Sequence, residues 1–74
     1  MTTINHNIEP YVLIEEISDT DFYIGTCNNG NNPAMSFWRI KKIWKEGNII
    51  KFGYPDRDQS FSFSWNDRGG YDYK

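Results

Sequence analysis

Turn-forming residues divide this chain of 74 residues into short segments, and that spacing constrains the fold more than any other feature. The segments between the turns run about six to nine residues and are rich in β-branched and aromatic types, which strands favour. The turns themselves are polar or contain Gly or Pro, as tight connections require. They lie at residues 18–21, 28–33, 46–48, 55–58 and 69–70. The sequence therefore predicts an all-β fold.

The clearest strand pattern covers residues 60–65. Phe61, Phe63 and Trp65 alternate with three serines, so the aromatic side chains share one face of a strand. Four further segments are predicted to be strands. Together with residues 60–65 they give a five-stranded antiparallel barrel or strongly curled sheet, SH3-like in scale. The four segments are residues 11–17, 22–27, 36–45 and 49–54.

The segment 36–45 has two interpretations. As a strand it places Ile43 out of phase, which a β-bulge near Lys41 would correct. As a short helix it would align Phe37, Ile40 and Trp44 on one face. The strand is favoured because a turn at residues 47–48 then closes a hairpin onto the next strand.

Size and composition predict one small domain over residues 11–74, preceded by a flexible leader, residues 1–10. Aromatic residues make up 18% of the chain, so a few large side chains must supply its core. The single cysteine, Cys27, cannot form an internal disulfide, and with one histidine, His6, it leaves no zinc site of the usual spacing. No cofactor is predicted. A secretion signal and an apolar run long enough for a membrane span are not recognised either, so no membrane partner is expected.

Charge is distributed unevenly along the chain. Residues 1–38 hold five acids and no Lys or Arg, whereas residues 39–51 hold five bases and one acid. The charges could be solvated faces, a polarised surface through which copies stack into a homo-oligomer, or a nucleic-acid contact with Trp38, Trp44 and Phe52 as stacking groups. The net charge of −2 disfavours nucleic acid. The candidate interaction residues are Arg39, Lys41, Lys42, Trp44, Lys45, Lys51, Tyr71 and Tyr73.

Catalytic patterns are not recognised. Catalysis needs a nucleophile beside a base, a tuned pair of carboxylates or a metal, and Glu15 and Glu16 would point to opposite faces of a strand. The chain is therefore predicted not to be an enzyme. The Asn-rich loop, residues 28–32, is predicted to form turns, with sugar binding beside Tyr23, Trp44 or Tyr71 as the alternative.

Three motifs occur in order along residues 22–73: Tyr-Ile-Gly at 23–25, Trp-Arg-Ile-Lys-Lys-Ile at 38–43, and Phe-x-Phe-x-Trp-Asn-Asp-Arg at 61–68 before a terminal Tyr-x-Tyr. This set resembles a group of short proteins encoded in tailed-bacteriophage genomes, often near virion structural genes. The chain differs from them at Cys27 and the following Asn run, where small residues are usual. The resemblance implies a virion-associated protein, located in the virion or in the host cytoplasm during assembly, and supplies no catalytic residues.

Three functions follow as hypotheses. The leading one is a non-enzymatic virion structural or accessory protein, with an assembly, decoration or adhesion role, that contacts other virion proteins or itself. The second is a nucleic-acid-binding module that uses the basic hairpin over residues 39–51. The third is an early phage inhibitor of a host protein, whose acidic N-terminal half would mimic nucleic acid.

Overall fold

The computed structural model describes residues 11–28 and 32–74, which form an all-β protein around one antiparallel sheet. Each strand is hydrogen-bonded to the next in sequence, so the order across the sheet is β1-β2-β3-β4. The strands are β1 (Tyr11–Glu16), β2 (Phe22–Cys27), β3 (Trp38–Glu46) and β4 (Ile49–Gly53), and a 3₁₀ helix (Trp65–Gly70) follows them. The predicted all-β class is confirmed. The predicted leader, residues 1–10, and residues 29–31 of the Asn-rich loop lie outside the described residues.

The segment with two interpretations, residues 36–45, forms strand β3 from Trp38 onward, and this strand contains no bulge. β3 pairs with β2 without a skipped residue, from Phe22 opposite Ile43 to Cys27 opposite Trp38. Ile43 is out of phase with Trp38 because it lies on the opposite side of the sheet. The turn into β4 uses Gly47 at φ 63°, a left-handed conformation that glycine adopts at little cost.

One side of the sheet, called here the core face, carries the hydrophobic core. Cys27, Trp38 and Ile40 are buried there, and the 3₁₀ helix places Trp65 on top of them. The rings of Trp38 and Trp65 are 6.1 Å apart between centroids. A Cβ atom at Gly25 would lie 2.7 Å from Cζ3 of Trp65, so the indole can pack on the sheet only because Gly25 has no side chain.

The predicted fifth strand and the closed barrel are not confirmed. Phe63 exchanges two backbone hydrogen bonds with Trp38, of 2.8 and 2.9 Å, but this is an isolated bridge. The chain enters the 3₁₀ helix directly after Ser64, and this turn places Trp65 on the core face. The alternation of aromatics over 60–65 is therefore only partly used: Phe63 packs against the core, while Phe61 remains 36% exposed.

The C-terminal segment is held over the core face by side chains. The backbone N–H of Ser64 donates to the Tyr71 hydroxyl (3.0 Å), and the Tyr73 hydroxyl donates to the Arg68 carbonyl (2.8 Å). Arg68 in turn donates from Nε to Oε1 of Glu15 on β1 (2.8 Å). These contacts connect the first strand to the last residues and cover one side of the sheet.

Candidate protein-interaction surface

The second side of the sheet, called here the outer face, is also apolar. Successive side chains of a strand point to opposite sides, so the strand register assigns each residue to a face. The 3₁₀ helix and the Tyr-rich C-terminus pack on the core face and leave the outer face without a second layer of described residues. The apolar side chains of the outer face are those of Val12, Ile14, Phe22, Ile24, Ile43, Ile50 and Phe52.

Exposure is high at both edges of this outer face. Ile14 on β1 is 66% exposed, and on β4 Ile50 is 70% and Phe52 is 63% exposed. The side chains on the two central strands are partly buried among their neighbours. Contiguous apolar surface of this kind is uncommon on soluble monomers and usually marks a site of association.

Three cations and one acid share the outer face. Arg39, Lys41 and Lys45 lie there with Glu16, which gives a formal charge of 3 − 1 = +2. None of the three cations forms an ion pair with a described residue. Their charged groups are therefore available to carboxylates of a partner.

Aromatic rings hold two of these cations close to the sheet. The Lys41 ammonium lies 5.1 Å from the centroid of the Phe52 ring, and the Arg39 guanidinium lies 5.1 Å from that of Phe61. A cation over an aromatic ring is attracted to its negative face. The outer face thus presents positive charge within an apolar surface.

The predicted interaction residues are divided between the two faces. Arg39, Lys41 and Lys45 lie on the outer face, as described above. Lys51 lies on the β3–β4 hairpin, where it forms an ion pair of 2.6 Å with Glu46. The others line an open cleft of about 260 Å³ beside the core face, together with Asp21 and Asp72; they are Lys42, Trp44, Tyr71 and Tyr73.

Several polar groups of this cleft are engaged with neighbouring residues of the chain. Lys42 lies 6.0 Å from the Trp44 ring centroid, and the Trp44 indole N–H donates to Glu46 (3.2 Å). Burial raises the pKa of Tyr73 above its ordinary value, so the hydroxyl stays protonated and donates to Arg68. These contacts therefore stabilise the C-terminal segment on the sheet.

The sugar-binding alternative for the Asn-rich loop loses its geometric basis for Trp44. Asn32 accepts a hydrogen bond from the Trp38 indole (3.0 Å) at the start of β3. Trp44 lies six residues further along the same strand, roughly 20 Å away at about 3.3 Å per residue. Asn32 and Trp44 are thus at opposite ends of the sheet. Tyr71 lies nearer to the loop, because its hydroxyl accepts from the Ser64 N–H (3.0 Å) and the Ser64 hydroxyl donates to the Pro33 carbonyl (3.1 Å).

The apolar residues of the outer face were missed by reasoning from sequence. The signal was present in β1, where Val12, Leu13 and Ile14 are apolar in succession, so that apolar groups must point to both sides of the strand. A closed barrel would have turned one of these sides inward. In the open sheet that the described residues form, only one side carries a covering layer of those residues.

Residues 11–28 and 32–74 contain no group of three or more His, Cys, Asp or Glu side chains that could hold a metal ion. In the same residues, no helix has the length and apolar character needed to cross a membrane.

Comparisons with protein-family models, with curated proteins and with solved structures gave no match. The resemblance to short phage proteins therefore stays a prediction.

Proposed function

We propose that this chain is a non-enzymatic accessory or structural protein of a phage particle, and that it acts through protein–protein contacts made by the outer face. The virion setting rests on the motif resemblance. The contact surface rests on one observation: an apolar sheet side on which the described residues form no packed layer, opposite a side that is packed.

Burial of the outer face by a partner would be favourable. Ile14, Ile50 and Phe52 each expose well over half of their surface, and apolar surface removed from water contributes about 25 cal/mol per Å². Strand pairing already fixes the backbone that carries these side chains, so no further backbone order is lost on binding. A flat, preorganised apolar surface favours a protein partner over a small ligand.

Charge defines the partner further. Arg39, Lys41 and Lys45 carry positive charge without an internal counter-ion among the described residues, so the complementary surface presents carboxylates between apolar side chains. The proposed occupant is thus the acidic, apolar surface of another virion protein.

The virion setting is tested by mass spectrometry of purified particles of the phage that carries the gene. The chain is expected at a fixed ratio to the major structural proteins. Its absence from particles that are otherwise complete would overturn this part of the proposal.

The contact surface is tested by incorporation of variants into those particles. Phe52→Glu and Lys41→Glu are expected to reduce incorporation at least about tenfold, because each places a carboxylate against an acidic, apolar partner. Lys51→Gln is the matched control, since Lys51 lies away from the outer face and pairs with Glu46. Equal incorporation of all three variants would show that the outer face is not the contact.

Nucleic-acid binding has less support. Trp38, one of the proposed stacking groups, is only 1% exposed. Two of the lysines proposed to contact phosphates, Lys42 and Lys51, point away from the face that holds Lys41. A continuous phosphate path over the whole basic hairpin is therefore not formed. Binding to single-stranded or duplex DNA at low salt, abolished by Lys41→Glu, would reverse this ranking.

A further inference from the structure

The two outermost strands of the sheet differ in how their free edges are protected. An edge strand exposes unpaired N–H and C=O groups, which natural proteins shield with charges, proline, short length or covering segments. β4 has several of these features and β1 has almost none. This difference suggests a use for the β1 edge.

The β4 edge is shielded. It is five residues long with Lys51 at its centre, and its end is closed by two backbone hydrogen bonds between Tyr54 and Lys74, of 3.2 and 3.0 Å. A Cβ at Gly53 would lie 2.7 Å from the backbone of Lys74, so the C-terminal segment packs directly on this end. The pairing continues past the strand, where Pro55 forms a bridge with Tyr73 and the Asp56 N–H donates to the Asp72 carbonyl (2.8 Å).

The β1 edge is open among the described residues. It is six residues long, and its first four residues, Tyr-Val-Leu-Ile, carry no charge and are all exposed. The described backbone groups that bond to β1 belong to β2, on its inner side. Its two acids, Glu15 and Glu16, lie at one end of the strand.

We infer that a second copy of this chain pairs with β1 through this edge, antiparallel and about a two-fold axis next to Leu13. That register places Val12 beside Ile14 of the partner subunit, so that the apolar contacts on the outer face are self-complementary. It places Tyr11 beside the partner subunit's Glu15 on the core face. A register centred on Ile14 would instead set Leu13 against an acid.

Pairing in this way converts two four-stranded sheets into one of eight strands. Both outer faces then lie on the same side, because a two-fold axis perpendicular to the sheet keeps the faces matched. The contact uses backbone hydrogen bonds and apolar side chains. It differs from a stack of acidic on basic surfaces in that salt should not weaken it.

Native mass by light scattering after size exclusion tests the inference. The full chain is expected at twice 8.8 kDa, at both low and high salt. Ile14→Lys is expected to raise the dimer Kd about tenfold or more, since it puts an edge charge beside the partner's apolar strand. Ile50→Lys, equally exposed on the opposite edge, should leave the dimer intact. A wild-type monomer at high micromolar concentration, a dimer dissolved by salt, or equal effects of the two variants would overturn the inference.

A disulfide locates the axis. In a Cys27→Ala background, Leu13→Cys should give a covalent dimer on oxidation, because paired antiparallel residues lie within the Cα distance that a disulfide spans. Ile50→Cys is the control and should stay monomeric on a denaturing gel. Cross-linking at position 50 and not at 13 would contradict pairing through β1. Neither experiment involves the virion partner, so the proposed function can fail or succeed independently.

Discussion

The two faces of this sheet are both built from large apolar side chains, yet the described residues form a covering layer on only one of them. On the core face, Trp38 and Ile40 are buried beneath Trp65 and the C-terminal tyrosines. On the outer face, Ile14 and Phe52 remain largely exposed. A chain this small has material for one covering layer, since only about 60% of its surface can be buried on folding. The covered face supports the fold, and the open face is the one that we propose for association.

Truncation of one large side chain on each face should give the largest difference. Trp38→Ala removes the centre of the buried cluster and its hydrogen bond to Asn32, and should cost about 3–5 kcal/mol of unfolding free energy. Phe52→Ala removes a ring that is 63% exposed and should cost less than about 1 kcal/mol. Urea unfolding followed by fluorescence and circular dichroism measures both. Similar costs would mean that the outer face contributes to the monomer's core.

Two glycine substitutions, one under the covering layer and one in open space, should show a smaller difference in stability. Gly25→Ala inserts a methyl group between the sheet and the Trp65 indole, where its Cβ would also lie 3.2 Å from Trp38, and should cost about 1–3 kcal/mol. Gly69→Ala meets no atom within 4 Å and should change stability by no more than about 0.5 kcal/mol. The difference between their urea midpoints is the measurement. A Gly25→Ala protein as stable as the wild type would show that the packing of Trp65 on the sheet does not depend on a glycine at position 25.

Local patterns in the sequence predicted the strands well. β-branched and aromatic segments between turns located all four, and the turn at Gly47 identified the β3–β4 hairpin. The fifth predicted strand failed because alternation over residues 60–65 describes only local side-chain direction. The strand ends there because Trp65 packs into the space above Gly25, a residue 40 positions away in the sequence that has no side chain. A long-range fit of this kind has no local signature.

The candidate surface was only partly predictable for a related reason. The basic residues over 39–51 were recognised, but adjacent residues of a strand point to opposite sides, so Lys41 and Lys42 were separated. The apolar component went unrecognised because a predicted barrel would have enclosed it. Whether an apolar side is buried or open depends on how many layers the whole chain can form, and that is not visible segment by segment.

The smallest expected effect concerns the neighbouring acids at the end of β1, one on each face. On the core face, the hydrogen bond from Arg68 lowers the pKa of Glu15. A carboxyl whose pKa is lower in the folded state stabilises the fold above the unfolded value of about 4.3, and that stabilisation is lost as pH falls through the folded pKa. Glu15→Gln should therefore flatten the dependence of unfolding free energy on pH between about 5 and 3. Glu16→Gln, on the outer face without an ion pair to a described residue, should retain the wild-type slope. Equal slopes for the two variants would mean that Arg68 does not join the edge strand to the C-terminal segment in solution.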